Sequence, residues 1–242
     1  MTRVLLEQLV HLIIVLPIIL FTLSNRKADT LKVLSVFFLY FIFHGLMLDL
    51  PTEYSGLRLT SGSWNWSGKI YAVFASVLFL IIYRKFSLKD YFLTFKQNSD
   101  FTKYGIITII VIFALKALSN WLYLSPSEWS TESILFQATM PGLDEEVAFR
   151  GIMLGLLTKI LKPTSRAILH PAIYITAILF GFGHALHLSD AYALTFNLSS
   201  FLFTAIFGLA WAWITLRSGS ILLALISHNL GNVTSQLISM GK

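Results

Sequence analysis

The 242-residue chain contains no cysteine. That excludes a thiol nucleophile, a disulfide framework and any thiolate metal site, and leaves the redox compartment open. Charge is also scarce. Asp, Glu, Lys and Arg together make up 12% of the residues, where soluble domains run at about 25%. With only 6 prolines, there is no Pro-rich linker, and no polar block is longer than a loop. What fills the space is apolar: 56% of the residues are hydrophobic. The expected fold class is all-α, a polytopic transmembrane helix bundle forming one integral membrane domain over residues 1–242.

A membrane-crossing helix needs about 20 mostly apolar residues. Reading on that template gives about eight spans, near 4–24, 31–48, 68–84, 104–124, 134–160, 167–187, 192–215 and 221–240. The first could imitate a signal peptide, but no small-residue cleavage pattern follows it, so it is expected to remain as a span. Pro17 and Pro141 are expected to bend their helices. Loop charge alternates. Arg26, Lys27 and Lys32 follow the first span, Arg84, Lys85, Lys89, Lys96 and Lys103 the third, and Lys159, Lys162 and Arg166 the fifth, while Arg217 precedes the last. The intervening loops carry Arg58 and Lys69, then Glu128 and Glu132, then Asp190. By the positive-inside rule the basic loops are cytoplasmic and both termini outside. The net charge of +6 thus reflects orientation and contact with anionic membrane lipids, with no nucleic-acid partner implied.

Three polar clusters interrupt the late apolar runs: Glu145-Glu146-Val147-Ala148-Phe149-Arg150, Phe180-Gly181-Phe182-Gly183-His184, and His228-Asn229-Leu230-Gly231-Asn232. An ionisable group at bilayer depth costs at least about 2.5–3.5 kcal/mol, so such groups face an interior and mark function. Glu146 and Arg150 are four apart and can pair on one helix face, leaving Glu145 to face a cavity as a general base. The alternative is a helix end with its charges snorkelling to water. His184 lies one turn after Phe180 and reads either as a site group or as an interhelical hydrogen-bond partner. His228 and Asn232 share a stripe and could serve an oxyanion, a metal, or helix–helix contact. Glu7, His11, His44 and His170 each stand alone or near a boundary and read as structural. Lys116 has no evident partner and reads as snorkelling. The chain has no His-Glu-x-x-His helix, no Gly-x-Ser-Gly, no P-loop, and Gly142-Leu143-Asp144 is not Gly-x-Gly-Asp.

In these three clusters the chain resembles the CAAX protease and bacteriocin-processing family, also called Abi or CPBP proteins. The family pattern is Glu-Glu-x-x-x-Arg, then Phe-x-x-x-His, then His-x-x-x-Asn. Here it falls in order on Glu145, Glu146 and Arg150, on Phe180 and His184, and on His228 and Asn232. The resemblance covers roughly 134–240, the expected catalytic core. It implies an intramembrane endopeptidase in which Glu145 and His184 activate a water while His228 and Asn232 stabilise an oxyanion. Glu146 and Arg150 would hold and tune the site. It leaves the cofactor open: Glu145, His184 and His228 would make a workable zinc set, and a metal-free attack is equally workable. The implied partner is a peptide or protein, either a C-terminal tail, prenylated in eukaryotic members, or a membrane-associated peptide. The expected location is the plasma membrane of a prokaryote. Two other readings compete: a proton- or solute-coupled transporter, and a non-catalytic membrane scaffold or immunity protein. Crowding of the polar residues into the C-terminal half, without repeated halves, weighs against a transporter.

Overall fold

Backbone N–H and C=O groups have no water to bond with inside a bilayer, so apolar runs of this length close their hydrogen bonds internally as helices. A computed structural model, which describes residues 1–242, shows eight such rods. They are α1 (Thr2–Thr22), α2 (Ala28–Glu53), α3 (Trp66–Ile82) and α4 (Ser99–Tyr123), then a compound rod, then α7 (Pro171–Ala185), α8 (Leu198–Ser218) and α9 (Leu222–Met240). The compound rod runs without a break through α5 (Thr131–Pro141), a π-helical segment (Gly142–Met153) and α6 (Leu154–Ile160). Four of the rods, α1, α2, α4 and α8, are long and apolar enough to cross a membrane by length and composition. Side chains cap the starts: Asn65 accepts from Gly68 N at 2.9 Å, Asn197 from Ser200 N at 2.9 Å, and Ser130 from Ser133 N at 3.2 Å. Gly219, at φ +76°, closes α8 in the left-handed conformation that favours glycine.

Helices occupy all eight stretches expected as spans, with ends shifted by a few residues and two larger differences. The sixth ends at Ala185 rather than 187, and the seventh begins at Leu198 rather than 192. Between them the chain forms a small antiparallel hairpin, β1 (Leu186–Leu188) with β2 (Leu194–Phe196), inside an otherwise all-α fold. Residues of α1 hold it: His11 Nε2 lies 2.9 Å from Leu186 O, Glu7 accepts from Leu188 N at 2.7 Å, and Arg3 donates to Leu188 O at 3.0 Å. The second difference is the winding at 142–153, where an α-helix was expected.

The compound rod is the centre of the bundle. Ile152, Met153, Leu154, Leu156 and Leu157 are wholly buried, whereas Phe21, Leu39, Phe74 and Ile110 point outward, as lipid-facing side chains do. The two ends of the bundle are separately tied. At one, Ser24 N donates to Ile160 O, Lys162 N to Thr22 O and Asn98 N to Ser218 O, and Lys159 pairs with Asp90. Asp90, held by Lys159 and by the Ser87 hydroxyl, titrates at about 2. All the basic loops meet at this end. At the other, Glu132 accepts from Trp66 Nε1 at 3.1 Å and Ser127 N donates to Ser239 O.

Because the chain is cysteine-free, its sidedness is directly testable. Ser127→Cys is expected to react with an impermeant thiol reagent only from outside intact cells, and Thr164→Cys only after permeabilisation. The reverse pattern would invert the orientation.

Candidate active site

At Pro141 the α-helical ladder loses an N–H donor, and the next amide, Gly142 N, is shared between Thr139 O of its own helix and Asn229 Oδ1 of α9, the latter at 2.7 Å. A side chain at Gly142 would collide with that amide, since an added Cβ would lie 2.4 Å from Asn229 Oδ1. The chain continues in the wider π winding, a rare geometry that is frequent at functional sites. This segment carries Asp144, Glu145, Glu146 and Arg150.

Glu146 and Arg150 pair as their spacing predicts, Arg150 Nη1 lying 3.1 Å from Glu146 Oε1 with both side chains buried. Glu146 also accepts from His228 Nδ1 of α9 at 2.7 Å. An imidazole that gives its Nδ1 proton to a carboxylate is fixed in orientation, with Nε2 turned the other way. Aromatic faces complete the enclosure. The Arg150 guanidinium carbon sits 4.1 Å from the centre of the Phe180 ring, and Trp211 stacks on His228 at 4.2 Å with 15° between planes. Trp211 is anchored in turn by its Nε1 donating to Ser227 Oγ at 2.8 Å.

Glu145 faces away from Arg150. Its Oε1 receives Lys69 Nζ of α3 at 2.6 Å, and its Oε2 lies 3.7 Å from His228 Nε2 with no hydrogen-bond partner of its own. Lys69 also binds Asp144 Oδ2 at 2.9 Å, and Asp144 Oδ1 meets His44 Nε2 of α2 at 2.8 Å. Sequence reasoning missed this group. Lys69 read as a loop charge and His44 as a solitary histidine, whereas both are buried and bonded to the acidic segment. A lysine one turn inside an apolar helix that Asn65 caps was the available signal.

His184 of α7 donates Nδ1–H to Phe180 O at 2.8 Å, which leaves Nε2 as an acceptor. Asn232 is half-buried, and its Oδ1 receives Lys116 Nζ of α4 at 2.5 Å. Lys116 therefore does not snorkel to the surface. It points inward and is 7% exposed. A lysine only donates, so this bond turns the Asn232 amide with Nδ2 free to donate elsewhere.

Glu145, His184, His228 and Asn232 all line one cavity of about 540 Å³, within the range of roughly 300–1,000 Å³ usual for ligand pockets. A second cavity of about 370 Å³ lies on the other side of Glu145, Lys69 and His184, which line both. No three of the Asp, Glu and His side chains are placed to hold a metal ion, and on the Glu145 flank a lysine ammonium already supplies positive charge.

Residues 127–234 match the family model of the type II CAAX prenyl endopeptidase Rce1-like proteins. No curated protein and no solved structure matches the chain. The match is a domain-level likeness to the CAAX-type membrane proteases, and it falls on the part of the chain that carries the three motifs. The match contains Glu145, Glu146, Arg150, Phe180, His184, His228 and Asn232, while His44, Lys69 and Lys116 lie outside it.

Removing one partner of a buried ion pair costs about 3–5 kcal/mol, because the other charge is left uncompensated. Lys69→Met is accordingly expected to lower the thermal unfolding temperature in detergent markedly. Adding Asp144→Asn should recover part of that loss. A Lys69→Met protein as stable as the wild type would show that the bridge carries no weight.

Proposed function

We propose that the chain is an intramembrane endopeptidase that hydrolyses a peptide bond with a water activated between Glu145 and His184. One observation carries this reading: Glu145, His184, His228 and Asn232, drawn from three separate rods, open onto the same cavity. Lys69 occupies Glu145 Oε1 and leaves Oε2 without a hydrogen-bond partner, 3.7 Å from His228 Nε2, so Oε2 is the oxygen available to take a proton. His184 Nε2, left as an acceptor by the Phe180 carbonyl, faces the same space without pairing directly with Glu145. A water between them can be oriented by one and deprotonated by the other.

The water oxygen attacks the scissile carbonyl carbon, and its proton passes to Glu145. Negative charge develops on the carbonyl oxygen, opposite the Asn232 Nδ2 donor and His228 Nε2. With Nδ1–H committed to Glu146, the His228 ring donates from Nε2 in its doubly protonated form. Donors fixed in place before the reaction stabilise such an oxyanion without reorganising. Collapse of the tetrahedral intermediate breaks the C–N bond, and the proton held by Glu145 leaves on the amine. No step calls on a metal.

The substrate is a peptide or protein segment within the membrane. Both cavities draw lining residues from the weakly basic end of the bundle, among them Glu7 and Asp49 for one and Trp64 and Ser239 for the other. With the basic loops inside, that end is external. This favours a membrane-embedded or exported peptide over a cytoplasmic prenylated tail.

Glu145→Gln, His184→Ala and His228→Ala are each expected to lower peptide cleavage by the purified protein at least about 100-fold, at the low end for a lost acid–base group. Expression should stay near normal. A chelator should leave the wild-type rate unchanged. Wild-type cleavage by Glu145→Gln would overturn the hydrolytic reading, and chelator-sensitive activity restored by zinc would overturn the metal-free one.

A further inference from the structure

Lys116 is a buried cation with no carboxylate against it. Its one hydrogen bond goes to a neutral amide, Asn232 Oδ1, and it sits about 6 Å from two aromatic rings, at 5.9 Å from the centre of Trp211 and 6.0 Å from that of Phe207. The other buried cations of the site are compensated: Lys69 by Asp144 and Glu145, and Arg150 by Glu146. An ammonium at this depth with no carboxylate in contact, acted on only by the more distant Glu145, is costly, which gives its presence a functional reading rather than a structural one. The bundle also makes room for it. Gly231, one residue before Asn232, has no side chain where a Cβ would stand 3.0 Å from Lys116 Cδ and 3.3 Å from Nζ.

The negative charge missing from the resting protein is supplied during the reaction proposed above, on which this inference rests. The carbonyl oxygen becomes an oxyanion at the Asn232 amide, the group that Lys116 already holds. We propose that Lys116 is a positioning residue of the oxyanion site. It turns Asn232 Nδ2 toward the substrate and places a full positive charge behind it, complementary to charge that exists only in the tetrahedral state. Stabilisation confined to the transition state raises kcat and leaves ground-state binding alone. The 5.9 Å separation from Trp211, which stacks on His228, puts the same cation behind the second donor. Lys116 lies on α4, outside the region matched by the family, so the site draws on the N-terminal helices for its electrostatics.

Lys116→Met keeps the length of the side chain and removes a buried charge, so it is expected to fold with an unfolding temperature no lower than the wild type. In the purified full-length protein its kcat should fall about 100-fold, the scale for one lost oxyanion-hole donor, with KM within a factor of three. Binding of a phosphinic peptide, an anionic tetrahedral mimic, and of its uncleavable ground-state analogue gives a readout that does not need turnover. The wild type should prefer the phosphinic peptide at least tenfold, and Lys116→Met should lose that preference while binding the analogue unchanged. A kcat within threefold of wild type, a loss expressed mainly in KM, or an undiminished preference in Lys116→Met would overturn the inference. Undiminished cleavage by Glu145→Gln in the same assay would instead remove the hydrolytic reading, and this inference with it.

Discussion

A chain of alternating charges runs through the middle of the bundle, from Arg150 through Glu146, His228, Glu145, Lys69 and Asp144 to His44. Its closest contacts lie between 2.6 and 3.7 Å. Each of these groups is expensive at bilayer depth when alone, and each is tolerated because its neighbours carry the opposite charge or share a proton. The carboxylates Asp144, Glu145 and Glu146 outnumber the permanent cations Lys69 and Arg150, and the two imidazoles sit where the excess falls. The same chain ties α2, α3, the central rod and α9 together, so none of them can slide or rotate without stranding a charge. Placement of the reactive groups and cohesion of the bundle therefore share one set of contacts.

Much of this architecture was legible in the residue order. The eight rods follow from apolar run length alone, and the two tied ends follow from the alternation of basic and non-basic loops. The Glu146–Arg150 pair was legible from its spacing, and the freedom of Glu145 from that pair. The rest depended on contacts between residues far apart in the chain. Lys69 and Asp144 are separated by 75 positions, His44 and Asp144 by 100, and Lys116 and Asn232 by 116. Periodicity reports which residues share a face of one helix and is silent on which faces meet. The β1–β2 hairpin was hidden for another reason. Leu186 and Leu188 look like a continuation of the apolar helix, and only bonds from His11, Glu7 and Arg3 explain why the chain turns extended there.

These long-range contacts also revise the weighing of alternatives. In the sequence the polar residues crowd into the C-terminal half, which argued against a carrier. In space, His44, Lys69 and Lys116 from the N-terminal half belong to the same site, so that argument loses force. The lack of paired broken helices retains it. The altered winding at Gly142–Met153 has no counterpart in α1–α4, each of which is continuous, whereas transporters built from repeats interrupt corresponding helices in both halves.

That altered winding has an implication for how the chain tolerates change in length. A π-helix holds more residues per turn than an α-helix, so the segment between Pro141 and Leu154 accommodates a surplus that straight α geometry would not. Deleting a single residue there would let the rod relax to ordinary pitch with its two ends still docked. Asp144, Glu145 and Glu146 would then swing around the axis relative to α3 and α9. The membrane-embedded scaffold would survive while its acidic face addressed the wrong neighbours, which makes the length of this stretch as constrained as the identity of its charged residues.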